Sequence, residues 1–114
     1  MDVRRWHEEE VERLNPLVGR QVLHTETMTI ARIHLASGAV VPRHQHANEQ
    51  VANVVSGRLR FVVGDAEVVV SAGESIAIPS DVPHEVEALQ DSLVLDVFSP
   101  VREDWVRGDD AYLR

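Results

Sequence analysis

The stretch RHQHANEQ, residues 43–50, places His44 and His46 two positions apart. On an extended strand, residues i and i+2 point to the same face, so both imidazoles can reach one ion. A third histidine, His84, lies in PSDVPHEV, where a turn can aim it at a neighbouring strand. Imidazole is a favoured ligand for first-row transition metals. Three histidines leave a fourth protein ligand to be found, with open positions for substrate or water. Asn48, Glu49 and Gln50 are the nearby choices. A carboxylate there would reduce the charge of a bound metal, whereas a neutral amide would leave it whole.

A second set of residues stands far along the chain. In SLVLDVFS, residues 92–99, Asp96 shares a strand face with Val94 and Phe98, while Leu93, Leu95 and Val97 share the other. An ionised aspartate among apolar neighbours is costly unless it is paired or faces a wet cavity. Burial would raise its pKa toward the range useful for general acid–base chemistry. The plainer alternative is a rim aspartate satisfied by backbone donors. Arg102 suits an anionic ligand because guanidinium grips carboxylate in a planar, bidentate way; otherwise it is a surface residue paired with Glu103 or Asp104. Phe98 is either a floor under a bound ring or ordinary core. His7 and His24 read as surface residues, and His34 as structural or pocket wall.

These residues need a scaffold, and 114 residues supply one small domain, 1–114, with a core at about 20–100. Hydrophobic residues make up 44% of the chain, enough for a packed interior. Residues 3–14 read as a short helix or irregular arm, ended by Asn15-Pro16. Beyond it, β-branched runs alternate with turn signals at Ser37-Gly38, Ser56-Gly57, Gly64-Asp65, Ala72-Gly73 and 79–81. That rhythm predicts an all-β sandwich or barrel. Residues 39–46 are expected to be a strand carrying the first two histidines, and 102–114 a polar tail.

Composition excludes several chemistries. There is no cysteine, so thiolate metal sites, disulfides and cysteine nucleophiles are absent. All eleven basic residues are arginine, which removes lysine-based catalysis. A net charge of −8 without a basic patch argues against nucleic-acid binding. The short apolar runs and the polar first residues predict neither a membrane span nor a signal peptide, and a cytoplasmic protein is expected.

Two motifs now carry a resemblance. GAVVPRHQH has the form G-x5-H-x-H, and GESIAIPSDVPH the form G-x5-P-x-D-x2-H. They resemble the two motifs of the cupin superfamily, which implies a small RmlC-like jelly-roll barrel with a metal at its centre. Asp81 stands where the second motif usually has glycine, and Ala88 where asparagine often closes it. The general pattern puts an acidic ligand slightly later than Glu49. That spacing, with the alternation of strand faces, favours Gln50, giving His44, His46, Gln50 and His84; Glu49 is the competing ligand if the strand starts one residue differently.

LNPLVGRQVL, HQHANEQ, IPSDVPHEVEAL and above all LDVFSPVREDW resemble one group within it, the small cupins of pectin and alginate breakdown that linearise unsaturated monouronates. This resemblance implies the same three histidines and glutamine as ligands of one divalent transition metal (zinc, nickel, manganese or iron). It also implies that Asp96, Phe98 and Arg102 take part in the reaction. Val101 departs from the group, which often has a second proline before the arginine. The expected function is metal-dependent isomerisation of a 4,5-unsaturated monouronate to its linear keto form, in a homodimer. The metal and Arg102 would attract this small anion locally despite the negative surface. Other cupin chemistry, such as polyketide cyclisation or oxygenation, and non-catalytic ligand binding are the alternatives.

Overall fold

A computed structural model describes residues 1–114. Ten strands run in order: β1 (Glu12–Asn15), β2 (Val18–His24), β3 (Thr29–Leu35), β4 (Val40–His44), β5 (Glu49–Ser56), β6 (Arg58–Val63), β7 (Ala66–Ser71), β8 (Ser75–Ile78), β9 (His84–Ala88) and β10 (Ser92–Ser99). They form a six-stranded sheet, β1-β2-β3-β10-β5-β8, and a four-stranded sheet, β4-β9-β6-β7, with antiparallel pairing throughout. This is the expected jelly-roll. A one-turn helix, α1 (Glu103–Val106), and 3₁₀ turns at Trp6–Glu8 and Ala111–Leu113 complete it.

The alternation read from the sequence decides what lies between the sheets. β3 buries Thr29, Ala31, Ile33 and Leu35, and β10 buries Ser92, Val94, Asp96 and Phe98. In the ladder Asp96 stands between Ala31 of β3 and Ala52 of β5, both fully buried. Those two small neighbours leave room beside the carboxylate on the inner face. Each large apolar side chain buried here, such as Leu59, Phe61 or Ile78, contributes about 1.5–3 kcal/mol.

Turn chemistry fixes the registers. Gly57 links β5 to β6 at φ 90°, and a Cβ there would collide with the Ser92 side chain and the Asp91 carbonyl. Asp81, standing where the motif usually has glycine, takes φ 61°. Aspartate tolerates that left-handed geometry better than most residues. Its backbone N–H donates to the His46 carbonyl at 2.9 Å, which ties the second motif to the first.

Three expectations are corrected and one open choice is decided. Residues 3–14 form neither a helix nor a wholly irregular arm: after the 3₁₀ turn, Glu12–Asn15 joins the sheet as β1. β4 ends at His44, so His46 lies in the loop crossing from one sheet to the other. Of the two readings of His34, structural or pocket wall, the structural one holds: it sits on the outer side of β3, with Nε2 3.1 Å from Gln21 Oε1. The last segment is not a free polar tail, because Trp105 and Leu113 are buried in the core. Its charged residues mask that packing in the sequence by pairing with the barrel, as Asp110 does with Arg20 at 2.8 Å.

Candidate metal centre

His44 and His84 are direct cross-strand partners at the end of the four-stranded sheet. His46 follows from the crossing loop, and Gln50 enters from β5 of the other sheet. The candidate ligand atoms of the three histidines lie within 4.8 Å of one another. That is near the span one ion bridges with bonds of about 2.1 Å. β5 begins at Glu49, which is exposed, whereas Gln50 is buried and faces inward.

Hydrogen bonds orient all three rings. Nδ1 lies 2.7 Å from the Pro42 carbonyl in His44, 3.0 Å from the Asn48 carbonyl in His46 and 2.9 Å from the Val82 carbonyl in His84. A carbonyl only accepts, so each neutral ring carries its proton on Nδ1 and presents a lone pair at Nε2. Burial, reinforced by the neighbouring cationic groups, lowers the pKa of His44 and of His46 to about 4. Burial also lowers His84. The rings are therefore neutral near pH 7, the form that binds metals.

The donor set fits a cation. His84 Nε2 is buried without a hydrogen-bond partner. His46 Nε2 faces Gln50 Oε1 at 3.2 Å, although in this tautomer both atoms are acceptors. A positive ion between them would satisfy both, together with the orphaned lone pair of His84. Asn48, a turn residue, fixes this loop by donating from Nδ2 to the Pro100 and Val101 carbonyls at 2.6 and 3.2 Å.

The Gln50 amide also reaches Asp96, donating from Nε2 to Oδ1 at 3.0 Å. Burial pushes the Asp96 carboxyl up to about 7, against the stabilising influence of Gln50 and Arg102 on its charged form. Such a group can both take and give a proton near neutrality. Phe98 serves two expected purposes: it is core, and it lines the cavity with its ring edge-on to His46 at 5.6 Å.

Arg102 is neither free nor on the surface. It is 1% exposed, and its Nε and Nη2 grip Asp104 at 3.0 and 2.8 Å. The guanidinium lies over Phe98 and Trp105, 4.7 and 4.2 Å from the ring centroids. The edge expected to hold a ligand carboxylate is thus taken by Asp104, and Nη2 also donates to the Tyr112 hydroxyl at 2.8 Å. Tyr112 was missed by sequence reasoning. It stacks on His44 with centroids 4.4 Å apart, but its charged neighbours gave no periodic signal. His7 is exposed, and His24 Nδ1 lies 2.8 Å from Thr29 Oγ1.

Comparison with known proteins places this fold among relatives. An uncharacterized protein of Streptomyces coelicolor is 33% identical over 81 residues, covering 70% of this chain and 77% of the relative. Pectin degradation protein KdgF of Dickeya dadantii is 26% identical over 84 residues, covering 72% of this chain and 76% of its own. The solved structure of KdgF from Halomonas sp. superposes with a TM-score of 0.84 at 31% identity, over 89% of this chain and 94% of that one. An RmlC-like cupin from Shewanella frigidimarina also gives 0.84, at 29% identity over 90% and 93% of the two chains. No helix here is long and apolar enough to cross a membrane. Residues 31–98 match the family described as Cupin domain, and with the two-sheet fold around a three-histidine cluster this places the chain in the cupin family.

Proposed function

We propose that this chain is a metal-dependent isomerase converting a 4,5-unsaturated monouronate to its linear keto form. The observation that carries the reading is the Gln50 amide, which joins the three-histidine cluster to the buried carboxyl of Asp96. The similarity to two KdgF proteins, one of them described as a pectin degradation protein, supports the substrate class.

The reaction is a tautomerisation and needs no oxidant. The hemiacetal C1–OH loses its proton, the C1–O5 bond breaks to leave the electron pair on O5, and the resulting enolate is protonated at C4 to leave a ketone at C5. When bound by His44, His46, His84 and Gln50, one divalent transition ion would supply Lewis acidity at substrate oxygens. Asp96 takes the proton from oxygen and returns it to carbon, a role matched by a pKa near neutrality. Phe98 packs against the sugar ring. Arg102 supplies positive charge within a negatively charged protein, and its Nη1, which Asp104 does not occupy, is left to meet the substrate carboxylate.

We place this activity in the cytoplasm, in a homodimer. The partly apolar outer face of the six-stranded sheet, where Val51 and Val55 are exposed, supports the dimer. The direct test follows the ultraviolet absorbance of the C4=C5 double bond in the unsaturated monouronate. Metal-loaded wild type is expected to accelerate its loss over the spontaneous rate, and Asp96→Asn to remove most of that acceleration. A wild-type rate equal to the spontaneous one refutes the assignment.

A further inference from the structure

The cavity beside the histidines measures about 50 Å³. Small-molecule sites typically measure roughly 300–1,000 Å³, so a sugar acid does not fit as the chain stands. Two residues of the last segment narrow the space. Tyr112 stacks on His44, and Leu113, 6% exposed, lines the same cavity.

The attachment of this segment differs from that of the other walls. Residues 109–114 pair with no strand. They follow Gly108, whose φ of 84° ends α1 in a conformation that favours glycine. Side chains hold them down: Asp110 accepts from Arg20 at 2.8 Å, Arg114 Nη2 donates to Glu12 at 3.3 Å, and Asn15 Nδ2 donates to the Leu113 carbonyl at 2.9 Å. The Tyr112 hydroxyl accepts from Arg102 Nη2 at 2.8 Å and Trp105 Nε1 at 3.2 Å.

We infer that residues 109–114 form a gate over the three-histidine cavity, and that an incoming carboxylate displaces Tyr112 from Arg102. Lifting the segment frees the volume of Tyr112 and Leu113. It also uncovers an Nη2 N–H that a carboxylate oxygen can take over, so an anionic ligand replaces the hydrogen bond lost on opening. A neutral ligand of the same size offers Arg102 less. The gate thereby favours acids at a site whose sugar-acid specificity rests on the function proposed above.

The test uses the metal-loaded full chain and saturated D-galacturonate, which lacks the reactive double bond. Tyr112→Ala removes the occupant. Asp110→Asn weakens the latch while leaving both aromatic contacts in place, so it serves if the first variant fails to fold. A closed gate lowers apparent affinity by the fraction of molecules that are open; calorimetry is therefore expected to show galacturonate binding about fivefold or more tighter in each folded variant, at equal metal content. Unchanged or weaker binding overturns the gate. If neither wild type nor variants bind galacturonate, the sugar-acid reading fails, and hydrogen exchange of the ligand-free protein decides the gate separately. Amides 109–113 exchanging about tenfold or more faster than those of β10 support it; equal protection overturns it.

Discussion

Gln50 donates from Nε2 to Asp96 Oδ1 at 3.0 Å and turns Oε1 toward His46 Nε2 at 3.2 Å. A single amide therefore joins the ligand cluster to the residue proposed to carry the proton. A carboxylate at this position could not donate to Asp96. Replacing Gln50 by Glu sets two carboxyls against each other, and one of them must hold a proton at neutral pH. Gln50→Glu is expected to keep metal and lose activity near pH 7. Gln50→Leu is expected to lower metal affinity by about 10–100-fold. Calorimetric metal titration and rate measurement on the same samples separate the two effects.

The buried Asp96 makes the metal-free protein sensitive to pH. Its folded pKa of about 7 lies above its ordinary value of 3.8, so the folded state binds this proton more tightly than the unfolded state. Stability from this group is greatest below pH 4, falls as pH rises toward 7 and is flat above. Asp96→Asn removes the cost, stabilising the metal-free protein at pH 8 by up to about 4 kcal/mol. The gain should vanish near pH 4. Urea denaturation at the two pH values checks this, and a gain independent of pH contradicts it.

The histidines give the opposite slope. His44 and His46 have folded pKa values of about 4, below the ordinary 6.5. The unfolded chain takes up their protons first, so stability is lost as pH falls from 6.5 toward 4. Because the folded rings stay neutral through that window, protons compete with metal only at its lower end. Bound metal measured against pH is expected to persist to below about pH 5. Half-release near 6.5 would contradict the burial argument.

Asp81 tests how the second motif supports the first. At φ 61° it holds its N–H on the His46 carbonyl. Asp81→Gly is expected to be neutral or stabilising. Asp81→Val should cost about 1–2 kcal/mol from left-handed strain and weaken metal binding by loosening the His46 loop. Thermal unfolding and metal titration measure the two consequences.

Much of the barrel was legible because its signals are local. Glycine and proline punctuation marked the turns, and alternation in SLVLDVFS put Asp96 and Phe98 on the inner face. Strand parity separated buried Gln50 from exposed Glu49. The gate was not legible, because its order depends on residues distant in sequence. Asp110 is fixed by Arg20, ninety positions away, and Tyr112 by Arg102 and His44. Charged neighbours hide Trp105 and Leu113 from any periodic pattern, although both end in the core. The i, i+2 spacing suggests a strand position for His46; β4 ends first, and the loop delivers the ring to the same cluster.

In the proposed reaction Asp96 delivers the proton to C4 from one side of a substrate held at the metal cluster. Running the reaction in D₂O and examining the early product by NMR tests this most directly. Metal-loaded wild type is expected to place deuterium at C4 in a single configuration, faster than the spontaneous reaction, and Asp96→Asn to lose both the rate and the selectivity. Deuterium distributed equally between both faces of C4 in the wild-type reaction, or selectivity unchanged in Asp96→Asn, would contradict the account.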